Sequence, residues 1–161
     1  MKELHGRASA TTAAPRERCR ELLSAAERYP DWYPEVVRSV QPADDPRRAG
    51  DRCLSAILHF SYGPIARDLE LLLEVVDAPA GGVRLDRVPY SARDRERFTV
   101  DWLFGERPGG AETDIAVELT ASLDVPRFLP IPFGTIGNIV AARFLAAAVG
   151  ALGRADGQRG P

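Results

Sequence analysis

Two carboxylate pairs, Glu70 with Glu74 and Asp114 with Glu118, are spaced so that each pair shares one face of an extended segment, an arrangement that can serve as acid and base. Both lie in runs of strict alternation. Asp68, Glu70, Leu72 and Glu74 oppose Leu69, Leu71, Leu73 and Val75, while Asp114, Glu118, Thr120 and Ser122 oppose Ile115, Val117, Leu119, Ala121 and Leu123. An antiparallel sheet usually buries one face only, so the alternation sends these carboxylates to the solvated side. His5 and His59 fall at the same polar parity of their own segments, and no serine or cysteine nucleophile can be assembled with a histidine and its orienting carboxylate. Cys19 and Cys53 are too few and too far apart for a metal knuckle or a disulfide framework, which predicts a reduced, cytoplasmic protein with no metal and no cofactor. Gly134-Thr135-Ile136-Gly137 and Ala80-Gly81-Gly82 lack the lysine of a phosphate loop.

The inward parity has fewer polar groups and they carry more information. Tyr62 follows Phe60, Trp102 lies between Val100 and Phe104, and Arg87 follows Val83 and Leu85. A buried tyrosine or tryptophan usually finds a partner for its polar tip. A buried guanidinium must be paired or hydrogen-bonded. Two readings of Arg87 follow: a group at the mouth of the interior, held by a salt bridge to Asp86, Glu74 or Asp101, or a ligand for a carbonyl or carboxylate oxygen. Val88-Pro89 marks a strand end beside it.

The elements that position these groups read as one fold, since 161 residues suit a single domain. With 45% hydrophobic and 27% charged residues, the chain can bury a core without disulfides. Its 21 basic and 23 acidic residues leave a net charge of −2, which argues against a nucleic-acid partner. Lys2 is the only lysine, and the arginines at 16, 18, 20, 47 and 48 are interleaved with acids, the pattern of a mixed solvated surface. Residues Met1 to Ala14 contain no apolar core of a secretory signal. Ile136 to Leu152 is apolar but short for a bilayer and interrupted by Asn138 and Arg143, so no stable membrane insertion is expected.

Period-two alternation predicts an opening strand over Leu4 to Thr12, and Pro15 then starts a helix to Glu27 with Cys19, Leu22, Leu23 and Ala26 on one side. Tyr29-Pro30 and Tyr33-Pro34 predict a short broken helix that exposes one face of Tyr29, Trp32 and Tyr33. Six further strands follow: Val36 to Gln41, Arg52 to Tyr62, Asp68 to Val76, Val83 to Val88, Phe98 to Phe104 and Thr113 to Leu123. Their short connections predict an antiparallel meander. A helix over Thr135 to Leu152, with Ile136, Val140, Phe144 and Ala147 as its stripe, covers the apolar face, and residues Gly153 to Pro161 fray.

This order, together with Ala13-Ala14-Pro15, the segment Tyr29-Pro30-Asp31-Trp32-Tyr33-Pro34-Glu35-Val36-Val37 and the Gly63-Pro64-Ile65 step, resembles the START-like (SRPBCC) superfamily, particularly its polyketide cyclase/dehydrase and lipid-transport branch. The resemblance runs from about Leu4 to Leu152 and implies an α+β helix-grip fold, also called Bet v 1-like. In it a sheet of about seven antiparallel strands wraps a long C-terminal helix in a single domain over residues 1–152, followed by a flexible tail over 153–161. It also implies an internal cavity for an apolar ligand, expected in the range of about 300 to 1,000 Å³. Parity places Tyr62, Leu71, Leu73, Arg87, Trp102 and Phe104 on its sheet wall and Val140 and Phe144 on its helix wall. Trp32, Tyr33, Phe128 and Phe133 form its lid or staple the broken helix to the body. The function expected is binding or transport of a hydrophobic or aromatic small molecule by a monomer or homodimer. A cyclase/aromatase-like or dehydratase-like enzyme and a protein-interaction module are the alternatives.

Overall fold

The computed structural model describes residues 1–44, 53–124 and 133–157. Seven strands form one antiparallel sheet in the order β1-β7-β6-β5-β4-β3-β2. They are β1 (Lys2–Thr12), β2 (Val37–Ala43), β3 (Cys53–Tyr62), β4 (Ile65–Asp77), β5 (Val83–Arg87), β6 (Arg97–Glu106) and β7 (Thr113–Leu123). From β2 to β7 each strand pairs with its successor, as short turns require, and β1 returns beside β7 with Gly6 opposite Leu119. Helix α1 (Arg16–Ser24) and the one-turn helix α2 (Tyr29–Trp32) stand between β1 and β2, and α3 (Phe133–Gly157) ends the described chain.

The alternation holds along the sheet. Leu71 and Leu73, Val83 and Leu85, Val100 and Trp102, and Ile115, Val117 and Leu119 are all buried on the face that turns toward α3. Outward residues pair with one another instead: His59 Nδ1 lies 2.6 Å from Asp68 Oδ1, Arg84 holds Asp101 at 2.6 and 3.0 Å, and Arg7 meets Glu118 at 3.4 Å. Glu70 is exposed and Thr11 donates to Asp114 on this side, so the carboxylate pairs flank solvent.

Helix α3 departs from the expected boundaries and rotation. It runs past Leu152 to Gly157, and its Gly134–Arg154 stretch, with a mean hydropathy of 1.6, is long and apolar enough by composition to cross a bilayer. In the fold that stretch has a core face made of Ala141, Phe144, Leu145, Ala148, Ala151 and Leu152, whereas Val140 and Ala147 of the expected stripe are only half-buried. The rotation is set where α3 crosses β1. A Cβ on Gly6 would overlap the backbone of Gly137, and one on Gly137 would overlap the carbonyl of His5, so the two backbones touch with no side chain between them. Beside this contact the Arg7 N–H donates to Asn138 Oδ1 at 3.0 Å. The edge of β1 is thereby covered by a helix, a common protection against strand-to-strand aggregation.

The arginines of α1 are not idle surface. Arg16 donates to the Ala80 carbonyl at 2.6 Å, and Arg20 donates to the Gly81 carbonyl at 2.5 Å and to Asp77 at 2.8 Å. The turn they hold carries Ala80 and Gly81 at φ 59° and 76°. Such a turn exposes its carbonyls in a row, and charge-assisted donors suit them.

Candidate functional site

Helix α2 and α3 bring five aromatic rings together. Phe144 sits at the centre, with ring centroids 5.9 Å from Tyr29, 5.8 Å from Trp32, 5.3 Å from Tyr33 and 5.0 Å from Trp102. Trp32, Tyr33 and Phe144 are nearly parallel, at 10° to 20° between planes, and Trp102 meets Phe144 edge-on at 66°. The expected exposed face of Tyr29, Trp32 and Tyr33 does not exist: their exposures are 2%, 8% and 8%. The prolines break the helix as expected, but α3 then closes over the break. Tyr29 donates its hydroxyl to the Leu23 carbonyl, and burial pushes its pKa far above the usual phenol range. Tyr33 is also raised, by burial and then by Glu35, against an opposing pull from Arg143.

The wall residues Leu71, Leu73, Trp102, Phe104 and Phe144 are buried together in one core cluster, with half-buried Val140 packed against it. Phe128 and the side chains of Tyr62 and Phe133 lie outside the described residues. Space was expected between Trp102 and Phe144, where the rings are instead in contact. A described hollow of about 590 Å³ lies on the opposite, solvent-facing side of the sheet, with Arg7, Ser9, Thr11 and Asp114 on its wall.

Arg87 points inward at the end of β5, with 3% of its side chain exposed. Neither Asp86, Glu74 nor Asp101 is the partner seen. Arg87 donates to Asp94 at 2.7 Å and to the Glu96 carbonyl at 2.8 Å, with the Glu96 carboxylate at 3.6 Å and the Tyr90 ring centroid at 5.3 Å. The reason is parity: Asp101 and Asp86 face outward, where Arg84 and Thr99 take them, and the connection after β5 supplies the acids that reach the inner side. Asp94 also accepts the Tyr90 and Glu96 backbone N–H groups at 3.0 and 3.1 Å, and with the Arg87 hydrogen bond as the main cause its pKa falls to about 2. A carboxylate depressed in the folded state contributes stability above its unfolded pKa and loses it as pH falls through the folded value. Asp94→Asn should therefore lower stability by about 1.5–3 kcal/mol at neutral pH, the worth of a hydrogen bond to a charged group. The difference in melting temperature between wild type and variant should shrink as pH falls from about 4 to about 2. A difference that stays constant across that window excludes the ion pair as its source.

Three buried donors on this side have no acceptor: Trp32 Nε1, Trp102 Nε1 and Arg87 Nε. Trp102 lies close enough to the Tyr29 hydroxyl to pull its pKa down against the larger effect of burial. The buried polar side chains among the described residues are Thr12, Arg87 and Thr113, and Thr113 donates to the Ala14 carbonyl. The interior thus offers hydrogen-bond donors and flat apolar rings. Among the described residues no group of three histidines, cysteines or carboxylates could hold a metal ion.

A seven-stranded antiparallel sheet closed by a C-terminal helix in this order is the START-like helix-grip fold, and this chain has it. It is similar to a Mycobacterium smegmatis START superfamily protein at 16% identity and TM-score 0.63, over 96% of this chain and 99% of that one. A Thermus thermophilus protein is similar at 17% identity and TM-score 0.68, over 94% and 98%. The Zhui aromatase/cyclase of a Streptomyces species is similar at 16% identity and TM-score 0.53, over 96% and 89%. No protein-family profile and no curated protein matches the sequence.

Proposed function

We propose that the protein binds or carries a hydrophobic or aromatic small molecule in the cytoplasm, between the inner face of the sheet and α3. The observation that carries this reading is the composition of that face. From Leu71 and Leu73 through Trp102 to Phe104 it is apolar, and it faces an aromatic cluster contributed by three separate elements rather than by one rigid layer. Rings that meet from α2, β6 and α3 can part to admit a ligand of their own kind, with Phe144 as the residue that yields. Likeness of fold to a START superfamily protein and to an aromatase/cyclase is in keeping with this reading. Binding is preferred to a cyclase-like reaction because the carboxylates that reach the inward donors, Asp94 and Glu96, are engaged by Arg87.

Native mass spectrometry of the purified protein should reveal a co-purified small molecule, and a naphthalene-sulfonate dye should bind saturably. Leu73→Trp, which adds a large ring to the inner wall, should weaken dye binding by about tenfold or more, the effect of losing about 1.4 kcal/mol. Its circular dichroism should remain that of the wild type. Absence of both a co-purified mass and saturable dye binding overturns the reading.

A further inference from the structure

We propose that the interior selects neutral oxygen-bearing ligands over carboxylates, and that Asp94 and Glu96 set this preference by cancelling the charge of Arg87. The inference rests on the binding reading and adds to it the chemical class of the ligand and the residues that choose it.

Charge decides between the two classes. Arg87 is the one charged residue among the buried, described positions, and a lone inward guanidinium would recruit an anion. Here it is answered by two carboxylates, Asp94 at 2.7 Å and Glu96 at 3.6 Å. One positive group against two negative ones leaves this end of the interior with no surplus cation. A ligand carboxylate arriving beside Asp94, whose side chain is 13% exposed, would meet like charge with little water between them, where such repulsion is strong. The N–H groups that remain open are a different matter. Arg87 Nε, Trp32 Nε1 and Trp102 Nε1 are buried without acceptors, and an indole nitrogen can only donate. A carbonyl or phenol oxygen satisfies such a donor without bringing a net charge.

The placement of the donors suits a scaffold longer than a single ring. Trp102 pairs with Val83 at the start of β5, and Arg87 lies four residues further along the same strand, so the two positions are separated by roughly 13 Å at the rise of an extended chain. Trp32, within 5.8 Å of the Phe144 ring, stands at the Trp102 end. The near-parallel planes of Trp32, Tyr33 and Phe144 present flat faces to a flat molecule. A neutral, flat, elongated molecule with accepting oxygens near both ends fits these constraints, and a fatty-acid anion does not.

A matched pair of probes tests the charge argument directly. 2-Acetonaphthone and 2-naphthoate share one ring system and differ in whether the oxygen group is neutral or anionic at pH 7.5. Titration of each, followed by the fluorescence of the two tryptophans in the chain, should show the ketone binding about tenfold or more tightly, because like charges set face to face are strongly disfavoured. Asp94→Asn should move the ratio toward naphthoate by a similar factor, and Glu96→Gln, which leaves the closer ion pair in place, should move it less. Should Asp94→Asn fail to fold, the Glu96→Gln shift carries the test alone. In nitrogen-15 spectra, the indole N–H signals assigned by Trp32→Phe and Trp102→Phe should move on adding the ketone. Equal affinities, tighter naphthoate, or a ratio indifferent to both carboxylate variants overturns the preference while leaving the binding reading in place. Failure of both probes to bind at all, with no dye binding, overturns both readings.

Discussion

Phe144→Ala should lower stability by about 3–5 kcal/mol, the usual range for truncating a buried phenylalanine. In a chain of this length that is a fall in melting temperature of roughly 6–20 °C, at about 2–4 °C per kcal/mol. The expectation comes from position: four other rings have their centroids within 6 Å of Phe144, so its removal strips a face from Tyr29, Trp32, Tyr33 and Trp102 together. Ile139→Ala, on the exposed side of the same helix, should change stability by no more than about 0.5 kcal/mol. The hollow left by Phe144→Ala is lined by rings and should take up a small aromatic molecule. Thermal melts with naphthalene added should therefore recover part of the loss in this variant and raise its melting temperature by more than that of Ile139→Ala. A melting temperature within about 2 °C of wild type, well under the drop expected from so large a loss, would show that the ring is not packed as described.

Gly137→Ala should be nearly as damaging although it adds a single methyl group. The added carbon would overlap the His5 carbonyl, a backbone atom that cannot swing aside, so α3 must lift from β1. Overpacking of this kind reaches about 3 kcal/mol and sometimes more. Gly6→Ala strikes the same contact from the other side, and the double variant should cost less than the sum of the two. Gly153→Ala provides the opposite sign. Nothing lies within 4 Å of its added carbon, and glycine inside a helix is unfavourable by about 0.5–1 kcal/mol, so that variant should melt higher. Chemical denaturation of the four proteins checks the set, and equal midpoints for Gly137→Ala and Gly153→Ala would refute the close crossing.

The strands were legible because their signal is local. In β7 the bounds Thr113 to Leu123 read from alternation are those of the structure, and the inward parity of Arg87 with Val83 and Leu85 held as well. Pro15 marked the start of α1 to within a residue. The candidate site was legible only as a set of inward positions. Its aromatic trio is buried rather than exposed, because the prolines at 30 and 34 announce a break in the helix but say nothing about what covers it. The partner of Arg87 was missed because Asp94 stands in a connection without periodicity, which bends back across the end of the sheet to reach the guanidinium.

Side-chain pattern therefore determined the class of fold, the order of its elements and the face that each strand turns inward, since each depends on residues a few positions apart. Docking decided the rest. The rotation of α3 is set by Gly6 against Gly137 and by Asn138 accepting from the Arg7 backbone across 131 positions of sequence. The grip of Arg16 and Arg20 on the Ala80-Gly81 turn joins helix to hairpin in the same way. Backbone atoms make at least half of each of these contacts, and every residue has the same backbone. Hydrophobic periodicity cannot encode where one backbone meets another, and that meeting decides whether Phe144 fills the interior or leaves it open.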